Sequence, residues 1–170
     1  MHLHIEIEHA ATQEVRELIG ELNRVLEAGY ADDQRHGLAV EQIFQPNVRF
    51  FLARLDGTVA GCGGVALFDD YAEVKRMYTR EFARGRGLAK ALLRRIEAVA
   101  VDYGAKMLRL ETGIHQREAI GLYEGVGFQR CGPFGPCAEM PARAIELSLF
   151  FEKSLSAGQQ RHSAHGGKSP

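Results

Sequence analysis

The chain has no tryptophan, and its three cysteines, Cys62, Cys131 and Cys137, form no Cys-x-x-Cys pair. An odd, sparse set of this kind argues against a disulfide framework or a zinc ribbon and fits a reducing, cytoplasmic compartment. No apolar run approaches the ~18–20 residues that a bilayer demands. The N-terminus alternates His2, Leu3, His4 and Ile5 and lacks the apolar block of a signal peptide. Charge of one sign is missing too: 21 Lys+Arg stand against 22 Asp+Glu, a formal net charge of -1. Overall charge therefore does not draw the protein to nucleic acid or to an anionic membrane. What is present is an ordinary globular composition, 45% hydrophobic and 25% charged over 170 residues. That excludes disordered and fibrous classes and is enough for one core but not two.

Periodicity gives the order of elements. Leu3, Ile5 and Ile7 alternate with polar residues, the period of a half-buried strand. Thr12 can cap a helix whose apolar face is Val15, Leu18, Ile19, Leu22, Val25 and Leu26, with Gly29 as its stop. A short second helix is expected over Leu38–Phe44, before Pro46. Asp56-Gly57 between two apolar runs predicts a tight hairpin. Gly61, Gly63 and Gly64 in its second arm predict a bulge, or room for another backbone or a ligand. Ala72–Thr79 reads as a strand with charges on both faces, which suits the border of a site. A long helix from Leu88 to Tyr103, a strand over Met107–Thr112 and a helix over Glu118–Glu124 follow, and a further strand begins at Gly127-Phe128. Residues 131–144 hold three prolines and read as a loop, and Ile145–Glu152 as the closing strand. The expected architecture is α/β, one domain over residues 1–153 with a mixed central sheet flanked by helices, then a flexible tail over 154–170.

The most informative stretch is Arg84-Gly85-Arg86-Gly87-Leu88-Ala89, between a strand and a helix. Unpaired N–H groups at a helix N-terminus carry partial positive charge and suit phosphate, and small residues let an anion approach the main chain. Arg84, Arg86 and Lys90 can add charge-assisted contacts. The turn is neither a Walker A loop nor a dinucleotide fingerprint. A bland alternative is a solvated turn with scattered arginines. The surrounding charge weighs against it: residues 75–95 carry eight basic side chains and one acid, whereas the other 149 residues carry 13 and 21. No aromatic ladder interleaves these charges, so nucleic-acid binding is not expected.

The pattern Gln/Arg-x-x-Gly-x-Gly/Ala, met by Arg84 to Ala89, resembles the first motif of the GNAT superfamily of acyl-CoA-dependent N-acyltransferases. The segment Ala119-Ile120-Gly121-Leu122-Tyr123-Glu124-Gly125-Val126-Gly127-Phe128 resembles its second, Ala-x-x-Leu-Tyr-x-x-x-Gly-Phe. The resemblance implies a GNAT-like fold over roughly residues 3–153, with strands splayed around the cofactor. It implies acetyl-CoA as co-substrate and no metal, with the pyrophosphate on Arg84, Gly85, Arg86, Gly87, Leu88, Ala89 and Lys90. The pantetheine arm would pair with main chain near Met77, Tyr78 and Thr79, and Gln116, Ala119 and Tyr123 would complete the cofactor site. Gln116 stands where the family often has Asn, and Glu81 where it often has Pro.

The same resemblance implies transfer of an acetyl group directly to a primary amine of a small molecule or peptide. Tyr123 falls on the family's tyrosine, which protonates or hydrogen-bonds the departing thiolate; otherwise it is a buried helix aromatic. An alkyl amine has a pKa of about 10, so a base must take its proton before attack. Glu73, eleven residues before Arg84, matches the general base of some members; the alternative is a strand carboxylate paired with a neighbouring Arg. Glu111 and His115 stand behind it. The acceptor would lie against residues 29–45 and 131–144, where Arg35 and His36 either recognise a carboxylate or belong to a solvated loop. A non-catalytic acyl-CoA-binding regulatory module is the competing expectation. Family members are often homodimers, and this sequence carries no interface signature.

Overall fold

A computed structural model describes residues 1–29 and 40–155. Seven strands form one sheet in the order β1-β2-β3-β4-β5-β7-β6. β1 (Leu3–Glu8) lies antiparallel to β2 (Val48–Leu55), which turns through Asp56 (φ 49°) and Gly57 (φ 83°) into β3 (Thr58–Leu67). Positive φ at both turn residues is what the Asp-Gly pair predicts. β4 (Ala72–Thr79) continues the antiparallel run. β5 (Met107–Gly113) then pairs with β4 in parallel, but only at Ala72↔Leu108 and Glu73↔Arg109. Beyond Glu73 the two strands part. β7 (Ser148–Ser154) lies antiparallel to β5, with the short β6 (Gln129–Cys131) at the edge.

Helices cover both faces. α1 (Gln13–Glu27) starts at Thr12, whose side chain accepts a hydrogen bond from the Val15 N–H. Its Val15, Leu18 and Ile19 pack against Phe50, Leu52 and Cys62. α2 (Leu88–Tyr103) lays Leu88, Leu92, Leu93, Ile96 and Ala100 on the opposite face, and Gly104, at φ 96°, ends it. Each such Leu or Ile contributes about 1.5–3 kcal/mol on burial, more than helix propensity could. α3 (Arg117–Gly125) joins that face through Tyr123, which packs with Phe128 and Phe151. Among the described residues, no helix is long and apolar enough to cross a membrane.

The β3 glycines have two tasks. The β3–β4 register slips between Cys62 and Gly64, and Arg76 in β4 sits at φ 56°. A Cβ on Gly61 would stand 2.5 Å from the Tyr78 carbonyl oxygen and 2.8 Å from Leu88 Cδ2. A Cβ on Gly63 would collide with the Met77 sulfur. Both the bulge and the close approach of a neighbouring backbone are therefore present.

Several local expectations change. The apolar stripe of α1 predicts a buried Val25, but it is 42% exposed. The closing strand begins at Ser148 rather than Ile145, because Pro141 starts a short helix, α4 (Ala142–Glu146), that tucks Ala144 into the core. Within the proline-rich stretch a 3-10 helix spans Gly135–Glu139. Of the helix expected over Leu38–Phe44, a 3-10 turn at Val40–Gln42 is observed; Leu38, Arg35 and His36 lie outside the described residues. Of the expected tail, Ser154 ends β7 opposite Met107 and the Leu155 N–H donates to Lys106 O; residues 156–170 lie outside the description.

Candidate active site

Where β4 and β5 part, a cleft of ≈ 530 Å³ opens, walled by residues of α1, α2 and α3. It is lined by Met77, Tyr78 and Thr79 of β4, by Arg84, Gly85, Gly87, Leu88, Ala89 and Lys90 at the start of α2, and by Gln116, Ala119 and Tyr123 on α3. Twelve of the fourteen residues singled out from the sequence thus share one cavity. The exceptions are Arg86, an exposed residue of the turn, and Glu73. Leu22, Val25, Ala83, Glu118 and Leu122 also line it and were not foreseen. Val25 carried a usable signal: it extends the apolar stripe of α1 past the last residue the core covers.

The α2 end is built for an anion. Gly85 (φ 71°) and Gly87 (φ 79°) adopt the left-handed conformation that side chains disfavour, and nothing lies within 4 Å of a Cβ built on either. Gly87 is the N-cap and offers no side chain, so the first N–H groups of α2 receive no capping hydrogen bond. Nearby charge is more divided than the sequence suggests. Lys75 pairs with Glu73 at 2.6 Å and Arg80 with Glu21 at 2.7 Å. Arg95 lies over the Phe51 ring, 5.6 Å from its centre. Arg84 and Lys90 remain on the cavity wall. Of the eight basic side chains in the run, Arg84 and Lys90 line the cavity.

Tyr123 is 5% exposed, and burial pushes its phenol well above the ordinary value of 10, so it stays protonated at neutral pH. Glu73 projects from the face of the sheet that carries Arg109 and Glu111, outside the cleft lining. It is 3% exposed, and burial raises its carboxyl; Lys75 opposes the shift and Glu111 adds to it. Glu111 accepts hydrogen bonds from Ser148 Oγ at 2.7 Å and from Cys137 Sγ at 3.6 Å. Burial and the Glu111 charge push the Cys137 thiol up to about 12, so it remains a donor. His115 is exposed. Cys62 is fully buried and its thiol donates to the Arg76 carbonyl at 3.4 Å, the small core residue the sequence suggests.

Residues 12–128 match the model of the acetyltransferase (GNAT) family. The chain is 43% identical over 143 residues to an IAA acetyltransferase of Azospirillum brasilense, covering 83% of this chain and 90% of that one. It is 31% identical over 156 residues to YsnE, an uncharacterised N-acetyltransferase of Bacillus subtilis, covering 90% and 100%. Among solved structures, a Klebsiella pneumoniae protein described as an acyl-CoA N-acyltransferase superposes with a TM-score of 0.74 at 32% identity, covering 91% of this chain and 98% of that one.

Proposed function

The chain belongs to the GNAT acetyltransferase family, an acyl-CoA-dependent N-acetyltransferase by descent, and from that premise we propose that it moves an acetyl group from acetyl-CoA directly to a primary amine. The observation that carries the proposal is the uncapped start of α2, with Gly85 and Gly87 in left-handed conformation, opening onto a cleft that reaches Tyr123. These residues fit coenzyme A. The helix N–H groups, Arg84 and Lys90 would hold the pyrophosphate. Past Glu73 the β4 edge has no β5 partner, so the amides of the pantetheine arm can add to it as a strand would.

Bound acetyl-CoA supplies the acyl group as a thioester; the protein's part is to position it and to move protons. The amine must first lose a proton. Glu73 is the residue we assign to this step, reached through the gap between the splayed strands, because burial has raised its carboxyl toward useful basicity. The phenol of Tyr123, protonated throughout the neutral range, would protonate or hydrogen-bond the departing thiolate. Direct attack fits a cleft with no cysteine among its lining residues, and Cys62 is sealed in the core.

The test is release of free thiol from acetyl-CoA and propionyl-CoA with a panel of amino acids, polyamines, aminoglycosides and peptides, together with IAA, which the name of the Azospirillum relative suggests. Thiol release that depends on one amine class identifies the acceptor. Coenzyme A binding without thiol release for any acceptor would favour the regulatory module instead.

A further inference from the structure

Arg80 follows β4 and belongs by sequence to the basic run around the phosphate turn. Its contacts give it a different task. Nε and Nη2 hold the two carboxylate oxygens of Glu21 at 3.1 and 2.7 Å, and Nη1 donates to the Val59 carbonyl at 3.0 Å. All three nitrogens are engaged, and the backbone N–H donates to Ala60 O at 2.8 Å. The pair is mutually reinforcing: Arg80 holds the Glu21 carboxyl below its ordinary value, and Glu21 raises the guanidinium. A guanidinium bound at both ends of its fork to a carboxylate has little charge left for a phosphate.

Glu21 sits on α1, and the residues beside it form a wall of the cleft. Leu22 and Val25, one turn apart, line the cavity that Met77, Tyr78 and Thr79 line from β4. The start of α1 is secured elsewhere, by the Thr12 cap, by Glu14 against Arg54 and by Val15, Leu18 and Ile19 in the core. Glu21 anchors the turn that carries Leu22 and Val25.

We infer that Arg80 is a positioning residue: through Glu21 it holds the Leu22–Val25 face of α1 as the apolar wall against which the pantetheine arm of the acyl donor packs, and it does not bind the phosphates. This rests on the coenzyme A assignment above. The wall covers the methyl and methylene groups of the arm and keeps water from its amides, where hydrogen bonds to β4 gain strength. Losing the clasp loosens donor binding and leaves the chemical step alone, because neither partner touches the reacting atoms.

The experiment compares Glu21→Gln, Arg80→Ala and the exchanged pair Glu21→Arg/Arg80→Glu on two donors, acetyl-CoA and acetyl-pantetheine, which has no phosphates. Each single change should raise KM for both donors about tenfold with kcat altered less than about twofold, and the exchange, which forfeits the Val59 contact, should recover part of the loss. A penalty of Arg80→Ala that vanishes with acetyl-pantetheine would mean a phosphate contact and overturn the inference. So would a Glu21→Gln enzyme with unchanged KM, and this variant decides alone if Arg80→Ala does not fold. Wild-type protein that fails to bind coenzyme A would overturn the functional proposal and this one together, whereas an active wild type with unaffected variants overturns only this one.

Discussion

Lys75 Nζ stands 2.6 Å from a carboxylate oxygen of Glu73, and the two side chains are the most enclosed opposite charges beside the parting of β4 and β5 described above. The pairing sets a pH dependence. Burial raises the Glu73 carboxyl above 4.5, and Lys75 pulls it back. Activity should therefore rise with pH through a carboxylate limb above the usual range. Lys75→Met should move that limb to higher pH, and Glu73→Gln should abolish it with kcat lowered about 10²–10⁴-fold. The folded state holds this proton more tightly than the unfolded one, so the group's stabilisation is full below 4.5 and lost as pH climbs through the raised value. Denaturation titrations should accordingly show Glu73→Gln gaining on wild type as pH rises. A limb that survives Glu73→Gln assigns the base elsewhere, Glu111 first.

Tyr123→Phe keeps the ring contacts to Phe128 and Phe151 and removes only the hydroxyl. Steady-state kinetics should show kcat reduced about 10²-fold at unchanged affinity for coenzyme A. An unchanged kcat would return Tyr123 to the role of a packed helix aromatic.

Gly61→Ala tests the β3–β4 approach. With the Tyr78 carbonyl 2.5 Å and Leu88 Cδ2 2.8 Å from the new Cβ, backbone must shift, at a cost of about 1–3 kcal/mol in a urea titration. Because Tyr78 lines the cleft, coenzyme A affinity should fall as well.

Local signals in the chain reached far into this structure. The Thr12 cap, the Asp56-Gly57 turn and the end of the long helix at Tyr103 each depend on a few adjacent residues, and each was legible; the left-handed conformation of Gly85 and Gly87 was not. The cleft was legible where it is built from contiguous motifs, Arg84–Lys90 and Ala119–Tyr123. What escaped depends on neighbours distant in sequence. Val25 looked like core because its periodicity is that of the α1 stripe, and only the location of the β4–β5 gap reveals what it faces. Arg80 is only one of eight basic residues in the 75–95 run by sequence, and its partner Glu21 lies 59 residues away. The start of β7 was missed because a helix of five residues has too short a period to compete with the β-branched and aromatic residues that follow.

The coenzyme A cradle at the start of α2 is tested most directly by thermal unfolding of wild type and Gly87→Glu with and without coenzyme A. Gly87 needs its φ of 79°, and a glutamate there would both strain the turn and set a carboxylate where phosphate should lie. At a concentration roughly 100-fold above Kd, coenzyme A should stabilise wild type by about 2.7 kcal/mol, a rise of several degrees in Tm, and leave Gly87→Glu unmoved from its own, lower baseline. Equal stabilisation of both proteins, or none of wild type, would contradict the assignment.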